Sequence, residues 1–408
     1  MKILLVSSAS YDPPRGGSTR CNLVWLKHLA GVGHECRVVC GFPVEAAPDQ
    51  RESSPHPGIT ILSTSDVGRR AALHREVETF QPDFVLVSSE DLSHTLLREA
   101  HRSAPGRVVY LAHTPQFYPF GPASWNPDAV AAGLVARCAG VVAIASFTAG
   151  YIREYGNCDA AVIHPPIYGE PPFRSLGRPG AGAIVMINPC GIKGISVFSD
   201  LARRFSHLPF AALPGWGTTA ADRATLDSLP NFRWLTPCPD IEQMLGETRL
   251  LLMPSLWLEG FGLIVVEAML RGIPVLASDS GGLRESTLGA GRLIPVNPIC
   301  EFAPSFDDRH LPVPVIPEQN LEPWAAALSE LENPAAYDAA SRAAKTAAEQ
   351  FVSKLQVEHF EHFLRNLKKP ARTGGPPASP PAHLSEEKRE LLLRRMRSAH
   401  HKEKPVQS

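Results

Sequence analysis

The 408-residue chain has no excess of either charge: 40 lysines and arginines stand against 41 aspartates and glutamates, a formal net charge of −1. So even a balance argues against broad attraction to nucleic acid or to an anionic membrane surface. No apolar run approaches the length that spans a bilayer, so no transmembrane segment is expected. The opening MKILLVSSAS has an apolar core of residues 3–6 only, too short for a secretion signal, and reads as a first buried strand. A soluble, cytoplasmic protein is the expectation. The eight cysteines form no CxxC pair and no zinc-ligand spacing, which predicts reduced thiols. No D-x-D occurs, and no compact carboxylate and histidine cluster has metal spacing, so no metal or other cofactor is expected.

What the chain does have is length for two cores and a repeated strand–helix alternation. Strand-like runs at 3–6, 36–40, 84–87, 108–112 and 141–144 are separated by helical stretches; a second series follows at 183–187, 210–213, 232–235, 250–253, 274–277 and 292–294. Strands that alternate with helices predict parallel sheets. Between the two series, residues 165–182 are crowded with proline and glycine, the composition of a linker or hinge.

The most informative window is 253–285, MPSLWLEGFGLIVVEAMLRGIPVLASDSGGLRE, in which Glu259 and Glu267 stand around a Gly-Phe-Gly turn. An apolar run ends at Pro254, Gly260 and Gly262 permit close backbone approach, and a helical apolar pattern from Leu263 is closed by Gly272 and Pro274. Strand, glycine loop and helix N-terminus converge unpaired backbone N–H groups on one point, where the helix dipole favours an anion. A carboxylate on each side suits hydroxyl recognition; the competing reading is an amphipathic helix with Glu267 as a solvated charge.

This stretch resembles the E-x7-E signature of retaining glycosyltransferases with the GT-B fold, in particular family 4, also called glycosyl transferases group 1. The resemblance implies an α/β chain with two Rossmann-like, doubly wound parallel-sheet domains facing a cleft. It implies domains at 1–170, on the acceptor side and completed by a C-terminal helix at about 352–368, and at 171–351, on the nucleotide-sugar side. By the same resemblance Glu259 holds the donor sugar, the amides of Gly260, Phe261, Gly262 and Leu263 touch sugar and phosphate, and Glu267 binds the ribose. The implied reaction transfers a sugar from a nucleoside-diphosphate-sugar to an acceptor hydroxyl with retention of anomeric configuration and without a metal.

Other residues fit that frame. Gly16 and Gly17 follow the first strand and precede a helical run; such a pair admits a phosphate, though a plain surface turn reads the same. The resemblance gives them the donor diphosphate, with Arg20 as a further contact. Lys193-Gly194 resembles the family's Lys-Gly, making Lys193 the diphosphate's point charge. Five residues earlier, where the family commonly has Arg, the chain has Asn188, which hydrogen-bonds but cannot neutralise. Either another base, such as Arg20 or Arg284, completes the charge, or diphosphate binding is weaker. Gly215 and Leu235 fall where the family approaches the nucleotide. His113 follows a strand and is either structural or, as the resemblance implies, a neutral imidazole beside the reacting sugar. Phe117, Tyr118, Phe120 and Trp125 form an acceptor platform or simply pack their loop.

Residues 369–408 begin with a Pro/Gly-rich linker and continue into SEEKRELLLRRMR, an amphipathic helix pattern. It is similar to linker helices beside condensation domains of peptide synthetase assembly lines. A docking partner there and a solvated tail are both open, and the acceptor is accordingly a peptide or lipopeptide natural product, or a lipid or polysaccharide precursor. The alternatives to a transferase are a non-catalytic scaffold on such an assembly line, or a GT-B phosphorylase or epimerase.

Overall fold

Hydrophobic strands alternating with amphipathic helices bury their apolar residues in two parallel sheets. The structure, a computed structural model, describes residues 1–42, 50–238 and 240–368. The tail at 369–408, with its amphipathic pattern, lies outside the described residues. Among those described, the first sheet comprises β1 (Lys2–Val6), β2 (Glu35–Cys40), β3 (Gln50–His56), β4 (Ile59–Thr64), β5 (Phe84–Ser88), β6 (Val108–Ala112), β7 (Gly140–Ala143) and β8 (Ala161–Val162). Its order is β3-β4-β2-β1-β5-β6-β7-β8, parallel except for the β3–β4 pair. The second sheet holds β9 (Ala183–Ile187), β10 (Phe210–Leu213), β11 (Phe232–Trp234), β12 (Thr248–Met253), β13 (Val275–Ser278) and β14 (Arg292–Ile294), in the order β11-β10-β9-β12-β13-β14 and parallel throughout. Both are doubly wound α/β sheets, the class read from the sequence.

The central strands read as unbroken apolar runs because helices cover both their faces. Ile3 to Val6 and Val108 to Ala112 are almost fully buried. In each sheet the order reverses beside the first strand, β1 or β9, and the loops after β1, β5, β6, β9, β10 and β12 gather at the carboxyl ends, where open α/β sheets bind ligands.

The chain passes between the sheets twice. It leaves β8 and enters β9 through 163–182, and it returns after helix Pro334–Val352 to helix His359–Asn366. The returning helix stacks Phe360 on Trp25 of helix Gly17–Gly31, ring centroids 4.7 Å apart, and its Glu361 accepts from His34 Nε2 at 2.9 Å. The two crossings touch: Phe351 lies 5.2 Å from His164 and 6.3 Å from Tyr168, centroid to centroid. Between the sheets, Glu285 accepts from the Ser146 and Phe147 amides at 3.1 and 3.2 Å, capping helix Ser146–Gly156, and pairs with His164 at 2.7 Å. Burial pushes the Glu285 carboxyl up, but His164 and the two amides prevail and hold it below the usual range.

Beyond β14 a small hairpin, β15 (Phe302–Phe306) with β16 (Pro312–Pro314), reaches back to the same rim. Nothing in its mixed apolar and proline sequence read as strand, because register here is set by tertiary packing rather than by alternation.

Candidate active site

The loops at the carboxyl ends enclose a cavity of about 930 Å³ lined from both sheets. The glycine loop after β12 forms one wall. Glu259 is buried there and accepts from Lys193 Nζ at 2.6 Å and from Ser255 Oγ at 2.5 Å. Burial pushes this carboxyl up, yet the Lys193 ammonium and the hydroxyl outweigh it and keep the acid below its ordinary range, ionised. Lys193 also sits 4.4 Å from the centre of the Trp257 ring, which orients it from the other side.

Glycine is required where these elements meet. A Cβ on Gly194 (φ 80°) would stand 1.9 Å from the Pro254 carbonyl, and one on Gly260 would stand 1.9 Å from the His113 carbonyl of the facing sheet. The Lys-Gly pair and the first glycine of Gly-Phe-Gly are thus packing requirements as well as ligand-facing ones.

Helix Leu263–Leu270 begins at Gly262, φ 98°, without a side-chain cap, so its first-turn N–H groups face the cleft. Glu267 is 2% exposed, which removes the solvated-charge reading. Its Oε1 accepts from Arg20 Nη2 at 2.6 Å, a bridge between the two halves, whereas its buried Oε2 has no partner. Burial works against the Arg20 charge, but Glu267 overrides it and raises the guanidinium's pKa. Opposite, helix Gly17–Gly31 likewise begins uncapped after Gly16, φ 90°, so Gly16 and Gly17 present bare amides to the cavity.

His113 follows β6 and is fully enclosed. Its Nε2 meets Asn22 Oδ1 at 2.9 Å; the Asn22 amide nitrogen is committed to Tyr11 and Ser88, so Nε2 is the donor. Nδ1 is left as a buried lone pair without a partner. Burial lowers the imidazole's pKa and keeps it neutral.

Asn188 adopts φ 55°, a left-handed conformation that Asn tolerates. Its Oδ1 accepts from Gly217 N at 2.8 Å, its Nδ2 is buried and unpartnered, and a Cβ on Gly215 would lie 2.5 Å from Oδ1. Asn188 therefore holds the loop after β10, a role an arginine there would not fill.

Two residues considered from the sequence lie outside the cavity wall. Leu235 does not reach the cavity: it extends the β10–β11 pairing through its amide to Ala212 and turns its side chain into the core, 3% exposed, while Ile241 lines the wall. Arg284 pairs with Asp279 on the surface and is absent from the cleft wall. The aromatic loop divides. Tyr118 and Phe120 are buried in the first core, whereas Phe117 lines the cavity and Trp125 packs on Trp257 at 5.8 Å and Phe302 at 5.9 Å. Trp257, Trp216, Glu90, Arg15 and Arg309 also line the cleft and were not singled out in the sequence. Only the tryptophans flanking the glycine motifs carried a signal, since an aromatic beside Gly at a strand end is exposed to any ligand held there.

Two Rossmann-like halves with their carboxyl ends opposed across one cavity are the GT-B arrangement. The family described as Glycosyltransferase Family 4 matches residues 15–168, and that described as Glycosyl transferases group 1 matches 223–296. The chain belongs to the family 4, group 1 glycosyltransferases. Among solved structures it is similar to sucrose-phosphate synthase from Thermosynechococcus elongatus, at 16% identity and TM-score 0.67 over 90% of this chain and 98% of that one. HepE from Anabaena, in complex with UDP-glucose, aligns at 17% identity and TM-score 0.62 with the same coverage. WaaG, a glycosyltransferase involved in lipopolysaccharide biosynthesis, aligns at 14% and 0.60 over 91% of this chain and all of that one. No curated protein sequence matches the chain.

Proposed function

We propose that the protein transfers a sugar from a nucleoside-diphosphate-sugar to an acceptor hydroxyl with retention at the anomeric carbon and without a metal, in the cytoplasm. The observation that carries this reading is the pair of buried glutamates, each clamped by one base. Glu267 keeps one buried oxygen unpartnered in the cleft, suited to a ribose hydroxyl. Glu259, fixed as a carboxylate by Lys193, suits a hydroxyl of the transferred sugar. The UDP-glucose complex of HepE supports a nucleotide-sugar as donor.

On this reading the C1–O bond to the diphosphate breaks as the C1–O bond to the acceptor forms on the same face, and the acceptor proton passes to a phosphate oxygen. Charge building on the diphosphate meets Lys193 and the uncapped amides beyond Gly16 and Gly262, donors already in place before reaction. His113, neutral, offers a lone pair to a sugar hydroxyl. The acceptor side is the wall around Glu90 and Phe117, with Trp125 packed against Phe117, and a peptide, lipopeptide or lipid-linked hydroxyl is proposed there. Incubation with UDP, GDP, ADP and TDP sugars in the presence of EDTA, followed by NMR of the product, tests the reading. Inverted configuration or metal-dependent turnover would refute retention or metal independence respectively, and release of sugar phosphate from a glucan with inorganic phosphate would make it a phosphorylase.

A further inference from the structure

With Asn188 neutral and Arg284 on the surface, the second diphosphate cation expected of the family must come from elsewhere or be missing. Four basic side chains line the cavity: Arg15, Arg20, Lys193 and Arg309. Arg20 and Lys193 each hold a glutamate at 2.6 Å. Arg309 makes no ion pair among the described residues; its Nε donates to the Thr218 carbonyl at 3.0 Å, which leaves both terminal nitrogens uncommitted to any carboxylate.

The hairpin that carries Arg309 is built to hold it there, and it lies beyond the segment matched by the group 1 family, which ends at 296. At its tip Asp307 accepts from the Arg309 and Leu311 amides at 2.8 and 2.9 Å, and Asp308 accepts from Ala220 N at 3.0 Å. Both nearby acids are thereby spent on backbone rather than on the guanidinium. At its base Pro314 packs against Gly191, where an added Cβ would lie 2.9 Å from its ring, in the same short turn that presents Lys193. The loop that receives Arg309 is the one Asn188 fixes: Asn188 holds Gly217, and the next residue, Thr218, holds Arg309.

We infer that Arg309 supplies the second positive charge on the donor diphosphate, Asn188 having exchanged direct neutralisation for positioning of the loop that anchors it. This rests on the nucleoside-diphosphate reading above. A fixed guanidinium is the donor type matched to phosphate oxygens, and its planar fork is why lysine replaces it only in part.

The test uses the full chain and isothermal titration. Whichever of UDP, GDP, ADP and TDP binds the wild type is titrated, beside its nucleoside, into Arg309→Ala, Arg309→Lys and Arg15→Ala. Arg309→Ala is expected to lose on the order of tenfold to hundredfold in affinity for the diphosphate, with nucleoside affinity unchanged and Arg309→Lys intermediate. Undiminished diphosphate affinity in Arg309→Ala, an equal loss for nucleoside and diphosphate, or the loss appearing in Arg15→Ala instead would each overturn the assignment. If the wild type binds no diphosphate of the four, the proposed function fails first and takes the Arg309 assignment with it.

Discussion

Arg20 of the first half and Glu267 of the second meet at 2.6 Å, so one oxygen of the buried carboxylate is locked and the other is left for a ligand. A hydrogen bond to a charged group is worth roughly 1.5–3 kcal/mol. Glu267→Ala is therefore expected to weaken nucleoside-diphosphate binding by about ten- to a hundredfold, read by titration calorimetry. Arg20→Ala should weaken it as well, by freeing the carboxylate to rotate and leaving it uncompensated. Equal affinity in wild type and Glu267→Ala would remove the ribose role.

Lys193 decides the ionisation of Glu259, because burial alone would raise that acid and the ammonium reverses the shift. In Lys193→Met the burial effect is opposed only by the hydrogen bonds from Ser255 and Trp257. The wild-type carboxylate stays charged down to below the ordinary glutamate range; in the variant it loses its charge at a higher pH than in the wild type. The acid limb of the kcat/KM profile is expected to move to higher pH, alongside a fall of about 10²–10³ from the lost charge on the leaving group. An acid limb at the wild-type position would show that Glu259 is not governed by Lys193.

Gly260 packs directly under the His113 carbonyl, with 1.9 Å available where a methyl needs about twice that. Gly260→Ala must separate the two walls of the cleft. Turnover is expected to fall below detection while circular dichroism retains both α and β signals, since the sheets themselves are untouched. An active Gly260→Ala enzyme would mean that the closed approach of these walls is not the working state.

Glu361 ties the last described helix to the start of the chain. Hydrogen bonds from His34 and then Arg365 hold its carboxyl down at about 2, against an ordinary 4.5. A group with a lowered folded-state value stabilises fully above the unfolded value and loses that contribution as pH falls through the folded one. The window here runs from about 4.5 down to about 2. Glu361→Gln is expected to lower the melting temperature at pH 7 by about 2–4 °C, with the gap to wild type narrowing as pH drops through that window. A constant gap would show that packing of Phe360, not the charge, anchors the helix.

The parts of the site that sequence made legible are those built locally. Glu259, Gly262 and Glu267 are set by one strand, one turn and one helix, and the glycines announce a close approach whatever lies opposite. Asn188 was visible as a departure, but its actual partner, Gly217, was not, since that bond depends on how two strand ends converge. Leu235 is drawn into the core by its amide bond to Ala212 and its packing, a tertiary arrangement that the local sequence does not record. Arg309 had no local mark at all: it comes from a hairpin tip, and its address is written in the Thr218 carbonyl 91 positions away. In the fold, the antiparallel edge strand β3 and the hairpin escaped for the same reason, being held by neighbours rather than by their own periodicity.

The two chain crossings between the halves lie side by side, Phe351 of one against His164 and Tyr168 of the other. Bodies joined by a single tether can tumble freely, but bodies joined by two tethers clamped together have the freedom of a door on its hinge. With both tethers clamped, the two halves have fewer independent ways to move apart than one linker would leave them, and the Glu285 cap on helix Ser146–Gly156 adds a further attachment. The Arg20–Glu267 pair is thus one of several fastenings that keep the cleft walls in register.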